Sequence, residues 1–309
     1  MRDVFIKSLV EAAGADQRIM LITGDLGFGV LDKFLAQFPA QFLNAGVAEQ
    51  NMTGLAAGLA LDGRTVFTYS IANFPILRCL EQIRNDAAYH GANVKVVAVG
   101  GGFSYGALGM SHHATEDLAI LRALPEVSVV APGDDWETYH ATKAIAAAPG
   151  TFYLRLDKST AGDSSVPGEV FELGKIRCVR RGSGTAVFTC GGILGEVVAA
   201  AETLAAEGVG PSVYSVHTVK PLDATTIISA AREHEAIVTV EEHGLNGGLG
   251  SAIAEVLVDA GAVPRRFRRM GIAGDRYVSE VGSQEFLRER CGLDAAAIAT
   301  GVRELNAAF

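Results

Sequence analysis

One carboxylate, Glu49, stands at the start of an otherwise uncharged helical pattern in the stretch Asn44-Ala-Gly-Val-Ala-Glu-Gln-Asn-Met-Thr-Gly-Leu-Ala-Ala-Gly58. From Val47 onward, apolar and small residues recur at helical spacing (Val47, Asn51, Gly54, Leu55, Gly58, Leu59), and Asn44 is placed to cap the first turn. Gly54, Ala57 and Gly58 leave room for close packing, so the helix is expected to be buried on several sides. A lone acid in that setting must be paired, exposed at the helix end, or kept for chemistry. The plainer alternative is a surface carboxylate favoured by the helix dipole. A second cluster is Leu108-Gly-Met-Ser-His-His-Ala-Thr-Glu-Asp117, where His112 and His113 follow a glycine-rich loop. Adjacent side chains diverge, which disfavours a metal site. Proton transfer or hydrogen bonding to a polyol suits them better. Thr115, Glu116 and Asp117 read as caps for the helix that follows.

Other candidates carry less. Four glycine-rich turns, at Gly24, Gly100, Gly191 and Gly247, lack the full dinucleotide fingerprint and a P-loop lysine, and the last two read as tight strand-to-helix turns. Arg265-Arg-Phe-Arg-Arg269 reads as a solvated or interface strand rather than a ligand site.

The elements that position these residues follow from hydrophobic patterning. Short apolar runs at Ile19–Thr23, Phe42–Leu43, Thr65–Tyr69, Val94–Val99, Val127–Val130 and Phe152–Leu156 alternate with helical spacing over residues 3–14, from Val47 and over residues 75–90. Such alternation predicts a mostly parallel sheet covered on both faces, with sites beyond the strands' carboxyl ends. The pattern lapses between Thr160 and Gly184 into a composition suited to a connection. A second strand-and-helix series then begins at Thr185. The expected fold is α/β with two doubly wound domains, residues 1–165 and a smaller 184–309, joined by a linker at 166–183.

Composition bounds the function. The 309 residues carry 35 acidic and 26 basic side chains, a net charge of −9, which argues against nucleic acid or an anionic membrane as partner. No apolar run is long enough to span a bilayer, and the N-terminus lacks the apolar core of a signal peptide, so a cytoplasmic protein is expected. Cys79, Cys178, Cys190 and Cys291 are scattered and read as reduced core residues.

Taken in order, Asn44-Ala-Gly-Val-Ala-Glu-Gln-Asn-Met, Tyr69-Ser-Ile-Ala-Asn-Phe74, Gly109-Met-Ser-His-His, Val219-Lys-Pro-Leu-Asp223, Val240-Glu-Glu-His and Asn246-Gly-Gly-Leu-Gly resemble the C-terminal half of transketolases end to end. That half comprises a pyrimidine-binding domain followed by the transketolase C-terminal domain. The chain is also similar to the matching part of deoxyxylulose-phosphate synthase. The resemblance implies a thiamine diphosphate enzyme that moves a two-carbon ketol unit from a ketose to an aldose. It matches Glu49 to the catalytic glutamate that shares a proton with the pyrimidine N1′ of the cofactor. Phe74 matches the aromatic that stacks on the pyrimidine, Asp25 and Leu26 a pair lining the cofactor, and His112 the substrate-channel histidine. His113 stands where many transketolases have glutamine. Arg2 matches a phosphate-binding arginine by its spacing from Asp25, and Arg155 or Lys158 is expected to supply a second cation for substrate.

Departures from the family pattern are as informative. The family grips the diphosphate through Mg²⁺ with a Gly-Asp-Gly motif and a downstream asparagine, whereas here Gly-Asp is followed by Leu26, Asp135, Ser164 or Arg276. The resemblance therefore implies no metal ligand in this chain. The Mg²⁺ ligands are expected from a separate N-terminal transketolase subunit, in an α2β2 assembly. A family histidine or arginine near Gly100 and Gly101 is missing, and Leu108 and Gly29 replace an acid and a serine. The sugar or sugar-phosphate substrate is thus expected to differ from a standard pentose or hexose phosphate. Two alternatives stand beside this reading: the decarboxylase beta subunit of a 2-oxoacid dehydrogenase, and a non-catalytic relative.

Overall fold

Two sheets, each wrapped by helices, organise the chain; the structure is a computed structural model that describes residues 1–307. The first half contributes β1 (Ile19–Thr23), β2 (Phe42–Asn44), β3 (Thr65–Ile71), β4 (Val94–Val99), β5 (Val127–Val130) and β6 (Thr151–Leu156). The second contributes β7 (Arg177–Arg180), β8 (Thr185–Thr189), β9 (Ser212–Ser215), β10 (Thr218–Lys220), β11 (Ala236–Gly244) and β12 (Arg266–Ile272). The central apolar runs form strands buried on both faces: β4 and β6 are buried at every position, as a helix-covered parallel sheet requires, whereas the edge strand β2 is only partly buried.

Sheet order is β10-β5-β6-β4-β3-β1-β2 in the first layer and β12-β11-β8-β9-β7 in the second. Pairing is parallel throughout except for β10 on β5 and β7 on β9. Both exceptions correct the expected boundaries. The segment 166–183, expected as a linker, contains β7, an edge strand of the second sheet. Conversely, β10 leaves the second half and pairs antiparallel with β5 of the first, Thr218 opposite Val130. Strands this short carry little periodic signal, because their pairing is decided by partners far along the chain.

The region expected as one helix over residues 75–90 is broken into Phe74–Leu77, Leu80–Gln82 and a π-helical turn Ile83–Ala88. The helix after Asn44 runs Glu49–Leu61. Its buried face is Glu49, Met52, Thr53, Ala56, Ala57 and Ala60, not the expected stripe. Val47 is 75% exposed, Leu55 and Leu61 are exposed, and a side chain added at Gly54 or Gly58 would meet nothing within 4 Å.

The core is continuous across the halves. Met52, Val96 and Tyr153 of the first pack in one cluster with Phe188, Tyr214 and Leu249 of the second. Arg177 of β7 adds a buried tie, donating to Asp134 at 2.6 Å and to Glu169 at 2.6 Å. The arginine run at β12 is likewise anchored: Arg266 donates to the Leu305 carbonyl, Arg268 to that of Gly301 and Arg269 to that of Leu245. All four cysteines are free, and among the described residues no helix is long and apolar enough to cross a membrane.

Candidate active site

Apart from Arg2 and Arg155, each candidate site residue of the first half follows the carboxyl end of a strand of the first sheet. β1 leads to Asp25 and Leu26, β2 to Glu49, β3 to Phe74, β4 to the loop ending in His112, and β6 to Lys158. Parallel strands place those loops along one rim of the sheet, although the residues lie far apart in the chain.

Glu49 occupies the first position of its helix and is 6% exposed. Asn44 does not cap it. Its Oδ1 instead accepts from the amides of Asp25 and Gly46, both at 3.0 Å, while its Nδ2 donates to Asp25 Oδ1 at 2.9 Å. Asn44 thereby fixes Asp25, which sits in the left-handed region at φ +57°, a strained conformation for a residue with a side chain. The Glu49 carboxylate is met by Arg78, whose Nη1 donates to Oε1 at 3.0 Å. The same guanidinium lies over the Phe74 ring, 4.5 Å from its centroid. The edge of His112 approaches Phe74 at 5.1 Å between ring centroids, and Ser111 Oγ lies 3.0 Å from His112 Nδ1. Acid, guanidinium, aromatic and imidazole thus form one run of contacts.

His113 points elsewhere. It is buried edge-on against Phe103 at 5.1 Å, and its carbonyl accepts from Asn73 Nδ2. Burial holds its imidazole below the usual range, so it is neutral near pH 7. With Asn73, Met110 and the segment 272–278 it lines a cavity of about 490 Å³ between the two halves.

Arg155 is withdrawn as a substrate ligand. It is 1% exposed, 3.1 Å from Asp117 and 4.0 Å from Asp157, and it donates to the carbonyls of Ala114 and Glu242. Asp117 is no helix cap: buried, it also accepts from Tyr153 Oη at 2.6 Å. These groups join the halves and cannot reach a ligand.

Lys158 is exposed, and its ammonium lies 3.9 Å from the centroid of the Tyr105 ring. Partial burial, and secondarily the nearby Arg2, lower its pKa. Arg2 begins the helix Arg2–Ala15 with its side chain 43% exposed. Tyr105 sits against Gly100, where an added Cβ would stand 2.3 Å from the ring. Lys158 therefore gives the rim a cationic end, with Arg2, paired to Asp3 at 3.1 Å, nearby. Among the described residues no group of three or more His, Cys, Asp or Glu side chains is arranged to hold a metal ion.

Residues 1–163 match the family model described as the transketolase pyrimidine binding domain, and residues 174–298 match the transketolase C-terminal domain. The chain belongs to the transketolase family. It is 36% identical over 307 residues to a 6-deoxy-6-sulfo-D-fructose transketolase subunit, SqwH, of Clostridium sp. strain MSTE9, covering 99% of this chain and 94% of that one. It is 34% identical to an apulose-4-phosphate transketolase subunit of Actinobacillus succinogenes, covering 88% and 87% respectively. Among solved structures, a split gene transketolase described as an inactive beta4 tetramer superposes with a TM-score of 0.86 at 34% identity, covering 98% of this chain and 97% of that one.

This transketolase chain is thus a transferase subunit whose two domains are those of the family's pyrimidine-binding half. Arg78 and Tyr105 were not singled out from the sequence, and Asn44 was read there as a helix cap rather than as the residue that holds Asp25. The only signal for Arg78 was its position four residues past Phe74, one helical turn away.

Proposed function

We propose that the chain is the pyrimidine-binding subunit of a split transketolase that transfers a two-carbon ketol unit between anionic sugars. The observation that carries the reading is Glu49: a nearly buried carboxylate at a helix start, on the sheet's carboxyl rim, facing Phe74. The residues suit the pyrimidine half of thiamine diphosphate. A carboxylate can share a proton with a ring nitrogen, and a flat apolar face can carry the ring. When bound, the cofactor supplies the nucleophilic carbon and the electron sink.

This chain's residues supply the rest. Glu49 holds the proton at the ring nitrogen, Phe74 fixes the ring plane, and Asp25, held by Asn44, lines the pocket together with Leu26. His112 donates to or accepts from the sugar's oxygen atoms beside the reacting carbon. Relatives named for a sulfonated and a phosphorylated sugar support an anionic substrate, and Arg2 with Lys158 forms the cationic end that would receive it.

The diphosphate and its Mg²⁺ are assigned to a second polypeptide, in an α2β2 assembly. Support comes from the exposed face of the Glu49 helix, where Val47, Leu55, Gly58 and Leu61 form an apolar, low-relief surface beside the acid. The transketolase relatives favour this reading over a 2-oxoacid decarboxylase subunit, and Glu49, Phe74 and His112 gathered on one rim speak against a non-catalytic relative. Free cysteines agree with a reducing cytoplasm.

The test is Glu49→Ala assayed with the partner subunit. Turnover should fall by at least about 10²-fold, the scale of losing a positioned proton-transfer group, with the circular dichroism spectrum unchanged. Undiminished transfer between sugars would remove Glu49 from the mechanism.

A further inference from the structure

Arg78 does two things with one guanidinium: it donates to Glu49 Oε1 at 3.0 Å and lies over the Phe74 ring at 4.5 Å. A flat, nitrogen-bearing cation, hydrogen-bonded to the acid and laid on the aromatic face, is the chemical likeness of an aminopyrimidine that shares a proton with Glu49. The two cannot occupy that space together. The burial of the partners differs sharply, because the Arg78 side chain is 53% exposed and that of Glu49 only 7%. Arg78 therefore reaches in from solvent and can withdraw to it, whereas the acid is fixed by its helix. Without Arg78, the unloaded chain would keep a nearly buried carboxylate with no cation beside it.

We infer that Arg78 is a positioning residue that holds Glu49 and Phe74 at the spacing of a ring in the unloaded chain and is displaced by the pyrimidine of the cofactor. The inference rests on the proposed roles of Glu49 and Phe74. With Arg78 itself half in solvent, its ion pair and its cation–π contact are each weak, so Arg78 steadies the acid without locking the site. Its displacement weakens cofactor binding by roughly threefold to tenfold.

The experiment is titration calorimetry on the complex reconstituted with the partner subunit, comparing wild type, Arg78→Met and Arg78→Lys. Thiamine diphosphate is one titrant and inorganic diphosphate the other. The Arg78→Met complex should bind thiamine diphosphate roughly threefold to tenfold more tightly than wild type, because the competing contact is gone. Arg78→Lys, which keeps the charge but not the plane, should fall between them. All three should bind inorganic diphosphate alike. A merely structural role has the opposite sign, weaker binding. Weaker or unchanged binding of thiamine diphosphate by Arg78→Met, or a parallel change for inorganic diphosphate, overturns the inference. Should Arg78→Met fail to assemble, Arg78→Lys against wild type decides by the same criterion. If Glu49→Gln leaves transfer between sugars undiminished, the proposed role of Glu49 fails, and the inference with it. If Glu49→Gln lowers transfer and the Arg78 variants bind thiamine diphosphate as wild type does, only the inference fails.

Discussion

The carboxyl rims of the two sheets carry the same residue types to opposite ends. On the first rim, Glu49 is met by one cation, Arg78, whose side chain is 53% exposed. On the second, Glu241, Glu242 and His243 toward the end of β11 are buried and sealed, Glu242 and His243 against the first half. Glu241 accepts from the amides of Leu249 and Gly250 at 2.7 and 2.8 Å. Glu242 accepts from Phe103 N at 2.5 Å, Gln284 at 2.9 Å and Arg288 Nε at 2.6 Å. Burial pushes the Glu241 carboxyl up to about 7. What separates Glu49, the proposed catalytic acid, from these structural ones is whether the chain itself fills the remaining hydrogen-bonding capacity. Glu241 and Glu242 are filled by amides and arginine; Glu49 is held by a contact that solvent can replace.

On the sealed side, the largest effect is expected from Arg155→Met. Removing the cation leaves Asp117 and Asp157 buried without it, which costs about 3–5 kcal/mol. Urea unfolding measures this, and a loss below about 1 kcal/mol would mean that Arg155 does not join the halves. The next effect is acid sensitivity at His217, buried where the chain crosses between halves. Burial, and secondarily Arg177, lower its pKa from 6.5 to about 4. The unfolded chain takes up the proton first, so the stability from neutral His217 is present above pH 6.5 and is lost as pH falls toward 4. The loss should reach up to about 3 kcal/mol, and His217→Gln should flatten that part of the stability profile; an unchanged slope contradicts it. The smallest effect belongs to the open rim. Lys158→Ala should raise KM for an anionic sugar about tenfold, with kcat within about twofold and the melting temperature unmoved. A fall in kcat with KM constant would place Lys158 at the reacting atoms instead.

The first sheet was readable because its strands are continuous apolar runs whose identity does not depend on distant partners. β7 and β10 were not, since a three- or four-residue edge strand becomes a strand only through what it pairs with. Glu49 was legible as a charge out of place, and Phe74 and His112 through their motifs. The helix around Glu49 was read inside out, because small residues at helical spacing suit a buried face and an exposed docking face equally well. Arg155 was misjudged for a related reason. A basic residue at the end of a parallel strand suggests a ligand, unless a second domain covers that part of the rim, and sequence spacing does not reveal the cover. Arg78 stayed hidden because its bond to Glu49 spans 29 positions with no pattern linking them.

The pairing of β10 with β5 bears on how this polypeptide could be reshuffled. Three residues of the later half complete the border of the earlier sheet, so severing the gene near residue 170 would strip that border and expose raw backbone along Val127–Val130. The halves look modular on a diagram, yet they are stitched, and recombination that exchanges one must bring the thread from the other.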